Sequence, residues 1–209
     1  MNYLRIVRLI ALGVALLTGA SSRAEPSVPL KQASALLQRV SGVPVRPYST
    51  RDFGRDRYGG AISVLVAESK AAAMLAALRK ELPAGLVAFV GTTHSLAKPA
   101  APGVELVIGR GSGPIDILHI AQTDAVNYGM TNEDLKRRLA HWQKAYGIDI
   151  WQAESDTIQL RFTRMPSNLP SFAKEVYEFC PDIVDQGVGT EEALVQEIQK
   201  RKGLQLWWD

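Results

Sequence analysis

Thr190-Glu191-Glu192-Ala193-Leu194-Val195-Gln196-Glu197-Ile198-Gln199-Lys200-Arg201-Lys202-Gly203-Leu204-Gln205-Leu206-Trp207-Trp208 sets a helix directly against a strand. The helix is expected from about Thr190 to Lys202, Gly203 ends it, and Leu204 to Trp208 is a final strand. Two adjacent tryptophans carry too much apolar surface for a frayed tail and are expected in a sheet. On a strand they must point to opposite faces, so one fills the core while the other lines a pocket or rests under a helix.

Working outward, Thr157 to Phe162 alternates Ile158, Leu160 and Phe162 with Gln159 and Arg161, the pattern of a strand with one wet face. Between these two strands, Asn168 caps a helix with Pro170 in its first turn and an apolar stripe of Phe172, Val176 and Phe179. Pro181 disturbs that helix at Cys180. Upstream, Thr131 and Asp134 start a helix to Tyr146, closed by Gly147 and followed by a strand from Ile148 to Trp151. Strands are expected at Ala61–Ala67, Leu86–Val90 and Val104–Ile108. A helix capped by Ser69 runs to Leu82 after the first, and a loop with Pro99 and Pro102 joins the other two. A helix is expected from about Leu30 to Val40, then an irregular stretch over 43–60, where Pro44, Pro47, Gly54, Gly59 and Gly60 interrupt any element. The fold class is α+β, a mixed β-sheet flanked by helices. The succession β-α-β-β-α-β allows a ferredoxin-like unit.

Arg5 and Arg8 precede a short apolar run from Leu9 to Leu17, and small residues end at Ser22 and Ala24. This is the pattern of a secretory signal peptide over 1–24, too short to span a membrane. The expected location is periplasmic or secreted, with no stable membrane anchor after cleavage. Removing Arg5, Arg8 and Arg23 from the 24 basic residues leaves 21 against 21 acidic ones. The balance gives no argument for nucleic acid as a partner. The expected organisation is 1–24 signal, 25–60 an N-terminal helix and irregular leader, and 61–209 a single domain. The roughly 185 residues left after removal of 1–24 suffice for a full core without disulfides. The one cysteine, Cys180, excludes an intramolecular bridge.

Asn127-Tyr128, Asp156, Glu175-Val176-Tyr177-Glu178-Phe179-Cys180-Pro181-Asp182, Gln186-Gly187 and Leu206-Trp207-Trp208-Asp209, with Pro114 to Leu118, resemble the bacterial domain-of-unknown-function family 4253 over roughly 104–209. The resemblance implies a fold unit and supplies no catalytic residue. The leader sets this chain apart from cytosolic-looking members.

The residues that carry chemistry each admit two readings. Cys180, with His94, His119 or His141 as base, has the makings of a nucleophile, but a helix carboxyl end beside Glu178 and Asp182 disfavours a thiolate, and a buried inert thiol is expected. The histidines have no ligand spacing, and no metal or cofactor is expected. Glu175, Glu178, Asp182 and Asp185 form either a carboxylate edge for a divalent cation or a solvated face. Gly109-Arg110-Gly111-Ser112-Gly113 is either a phosphate cradle or a turn. Arg46, Arg51, Arg55 and Arg57 interleave with Tyr48, Phe53 and Tyr58, either as a surface for an anionic ligand or as a salt-bridged loop. Asn127, Tyr128, Asp156, Asp182, Asp185, Gln186 and Trp208 are the candidate binding residues. The expected function is a non-catalytic binding or protein-interaction module for an unidentified protein or small ligand. The alternative is a hydrolase-like enzyme built on the carboxylate cluster and a cation.

Overall fold

The computed structural model describes residues 28–49, 57–93 and 103–209; the expected leader, His94, and Arg51 to Arg55 lie outside them. The chain runs α1 (Val28–Ser41), β1 (Arg46–Ser49), β2 (Arg57–Val66), α2 (Glu68–Glu81), β3 (Leu86–Thr93), β4 (Val104–Arg110), α3 (Pro114–Ala121), α4 (Asn132–Tyr146), β5 (Ile148–Ala153), β6 (Thr157–Phe162), α5 (Leu169–Phe179), α6 (Glu191–Arg201) and β7 (Gly203–Trp207). A 3-10 turn at Val126–Tyr128 precedes α4, and a π-helical turn at Ile183–Val188 precedes α6.

Local chemistry sets most helix ends. The Thr131 hydroxyl accepts from the Asp134 amide while the Asp134 carboxylate accepts from the Thr131 amide, a reciprocal cap for α4. Asn168 Oδ1 accepts from the Ser171 amide at 3.1 Å, and Thr190 Oγ1 from Ala193 at 3.1 Å. Ser69 does not cap α2. That helix begins at Glu68 directly from β2, with the Lys70 amide bonded to the Ala67 carbonyl and Glu68 facing the positive helix end.

One sheet has the order β1-β2-β4-β3-β5-β6-β7, antiparallel throughout except for β3 beside β5. The strand β1 and the first residues of β2 lie in the stretch expected to be irregular. Pro47 is tolerated because β1 is an edge strand, where a missing amide costs no ladder bond. β2, α2 and β3, with antiparallel β4 between the two strands, form the split β-α-β half of a ferredoxin-like unit. The fourth strand departs from that plan. β1 occupies the outer side of β2, and β5 joins β3 in parallel through the pair Val90 and Gln152. The guanidinium of Arg79 on α2 clasps this joint, donating to the carbonyls of Ala88 at 2.9 Å and Ile150 at 2.8 Å and to Asp149 Oδ1 at 2.7 Å.

The two faces of the sheet bury different sets of side chains. Leu30, Ala33 and Leu37 of α1 and Leu75 and Leu78 of α2 pack on Val64, Ala88, Val90, Leu106 and Ile108. On the other face α3, α4 and α5 cover Phe89, Val107, Ile150, Ile158, Leu160 and Leu206. The alternation expected in β6 is present, with Ile158, Leu160 and Phe162 buried and Arg161 exposed over the Trp151 ring at 5.5 Å. Among the described residues no helix is long and apolar enough to cross a membrane.

Candidate functional site

Pro181 ends α5, and the chain turns through Asp182 into the π-helical turn, as the Ile183 and Val184 amides bond to the carbonyls of Cys180 and Pro181. This turn drives Asp182 inward until it is only 3 % exposed. Its carboxylate accepts from Tyr128 Oη at 2.6 Å, Gln186 Nε2 at 2.7 Å and the Asp209 backbone amide at 2.8 Å. Burial raises the Asp182 carboxyl, but the three hydrogen bonds outweigh it and hold the group below the ordinary carboxylate range. The same bond, reinforced by partial burial and the negative charge, pushes Tyr128 up to about 12.

The segment after β7 is tied down at two further points. The Trp208 amide donates to the Asp156 carbonyl at 3.2 Å, and Trp208 Nε1 to the Phe179 carbonyl at 3.0 Å. Its ring is 2 % exposed and meets Phe179 edge-on at 5.3 Å between centroids. Trp208 therefore fills the core, and the half-buried Trp207 on the opposite side is the pocket wall.

Trp207 separates two depressions. A groove of about 240 Å³ runs between β7, the end strand of the sheet, and α6 with the π-helical turn. Val188, Leu194, Ile198 and Leu204 give it apolar walls, and the ion-paired Glu197 and Arg201 border it. Gly187 lets the Trp207 ring lie close against the π-helical turn, since a Cβ there would lie 2.8 Å from Trp207 Cη2. A cavity of about 340 Å³ beyond Trp207 is lined by Asp156, Thr157, Gln205, Trp207, Trp208 and Asp209.

The candidate binding residues thus divide. Tyr128, Asp182 and Gln186 share one hydrogen-bonded cluster, and Asp156 and Trp208 share the cavity. Asp185 instead accepts from Tyr177 Oη at 2.9 Å, and Asn127 is exposed on the 3-10 turn. Trp207, Gly187 and Gln205 were not among the candidates, although strand alternation puts Trp207 on the face opposite Leu206.

The four carboxylates of the expected acidic edge diverge. Glu175 accepts from Trp142 Nε1 at 2.8 Å and Arg138 at 3.1 Å, Glu178 is exposed, and Asp182 and Asp185 have the separate partners described. Among the described residues no group of His, Cys, Asp and Glu is placed to hold a metal ion. Cys180 is buried, and its thiol donates to the Trp207 carbonyl at 3.0 Å. Burial, aided by the nearby Asp182, pushes it up to about 12. His119 and His141 are exposed on α3 and α4.

The amides of Ser112 and Gly113 are occupied by Asp116 Oδ2, at 2.6 and 3.1 Å, so this turn carries its own anion at the start of α3. Tyr48 is no stacking platform. It is fully buried, edge-on to Phe89 at 5.9 Å, and Arg46 on the same strand pairs with Glu105 at 2.6 Å.

The model of the family described as Domain of unknown function (DUF4253) matches this chain. The match covers residues 106–209. The DUF4253 region therefore contains the Asp182 cluster, the groove and the cavity. No curated protein and no solved structure matches the chain.

Proposed function

We propose that the protein is an exported, non-catalytic binding module that holds an extended segment of a protein partner along β7. The observation that carries this reading is the apolar groove beside a sheet-edge strand. An end strand has one row of backbone groups turned away from its neighbour; the Trp207 carbonyl of that row is taken by the Cys180 thiol, and an added segment can bond to the remaining groups while its side chains enter the groove. Trp207 provides the large rigid wall typical of such contacts. The interlocked Asp182, Tyr128 and Gln186 fit a positioning role, fixing the end of β7 so that the groove is formed before binding.

A random peptide display library panned against the protein tests this. Enriched sequences should carry an apolar residue that inserts into the groove. Val188→Glu, which places a charge on a half-buried wall, should lose them while its melting temperature stays close to the parent's. Equal enrichment by parent and variant would overturn the reading. Export has its own test: protein recovered outside the cytoplasm should begin at Glu25, and retention in the cytoplasm with Met1 in place would remove that part.

A further inference from the structure

We infer that the cavity on the far side of Trp207 receives a cationic side chain, Arg or Lys, from the same bound segment. This rests on the peptide reading above and names the chemistry of its second contact. The cavity shares Gln205 and Trp207 with the groove, so a ligand in one lies against the wall of the other. Its lining contains two charged residues, Asp156 and Asp209, both acidic, and no basic one. An indole face beside two carboxylates suits a cation that spreads its charge over a flat or methylene-bearing group.

The acids are also held in place. Asp209 is fixed through its amide to Asp182 at 2.8 Å, and Asp156 is linked to the neighbouring Trp208 amide through its carbonyl at 3.2 Å. The Asp156 carboxylate also accepts from Thr157 Oγ1 at 3.0 Å, so a cation meets one carboxylate that is already oriented and a second on a fixed backbone, and less freedom is lost on binding. An extended chain rises about 3.3 Å per residue and repeats its facing every second one. A cation two positions from an apolar residue can thus straddle Trp207.

The probes are acetyl-Ser-Leu-Ser-Arg-Ser-Leu-amide, which offers leucine on either side of the arginine, and its citrulline counterpart of the same shape without charge. Binding is followed by the indole N–H resonance of Trp207, assigned with Trp207→Phe. The arginine peptide should bind about fivefold more tightly than the citrulline peptide, the sum of exposed charge pairs and a cation–π contact. Asp156→Asn combined with Asp209→Asn should abolish that ratio. Raising the salt to about 0.5 M should shrink the ratio in the parent protein as well, a measurement that needs no variant. Equal affinities for the two peptides would overturn the inference and leave the groove reading standing. Absence of a Trp207 shift with both peptides would also overturn it, and the groove reading falls with it only if library panning fails too. A Trp207 shift with calcium chloride alone and none with the arginine peptide would replace the cationic side chain by a metal ion.

Discussion

Asp182 gathers three donors from three places in the chain: a turn before α4, the π-helical turn, and the residue after Trp208. Its folded-state titration lies below its unfolded value of about 3.9, so the stability it confers is complete above that value and is lost as pH falls through the folded one. Tyr128 has the opposite sign. Its titration is raised to about 12, so its contribution is complete below the unfolded value of about 10 and is lost as pH rises towards 12. Urea unfolding across pH should therefore fall away at both extremes. Tyr128→Phe should remove the alkaline part of the loss and move the acid part to higher pH. Asp182→Ala, which removes three hydrogen bonds, should lower stability at neutral pH by about 3 kcal/mol. These residues are recognisable in the sequence one by one. Their pairing is not, because Tyr128 and Asp182 are 54 positions apart and no periodicity spans that distance.

The junction of α6 and β7 shows how local signals and close packing divide the work between neighbours. Gly203 looks like a helix-ending glycine, yet the left-handed residue is Lys202, with φ of 53°. Gly203 is required for another reason: a Cβ there would lie 2.1 Å from the Leu160 carbonyl oxygen, inside the β6–β7 pairing. Lys202→Gly should raise stability by about 1 kcal/mol by removing the left-handed penalty. Gly203→Ala should lower it by about 2–3 kcal/mol, since β7 must shift away from β6. Thermal and urea melts of the two variants, adjacent in sequence and opposite in sign, check the assignment. The ends of α4, α5 and α6 were legible because Thr131, Asn168 and Thr190 act within one turn. β1 was not, because its prolines and glycines follow edge-strand rules that apply only once β2 is beside it.

At the scale of the molecule, the DUF4253 match begins two residues inside β4, and both sheet neighbours of that strand, β2 and β3, lie before it. A fragment of residues 106–209 would leave Leu106 and Ile108 without α1 and α2 and expose both edges of β4 and the β5 edge that pairs with β3. Expressed alone, it should aggregate or show poorly dispersed amide resonances, while 25–209 gives a dispersed spectrum; a well-folded fragment would mean that β5 to β7 suffice. Strand order was the part of the fold hidden from sequence. Pairing of β3 with β5 depends on contacts across more than fifty residues, whereas alternation within β6 is written locally.

That same pairing makes the sheet two antiparallel blocks meeting at a thin parallel joint, Val90 with Gln152, clasped from α2 by Arg79. Hydrogen exchange followed by NMR should therefore show the amides of β1, β2, β4 and β3 on one clock and those of β5, β6 and β7 on another. The Asp182 cluster and the groove belong to the second block and keep its time.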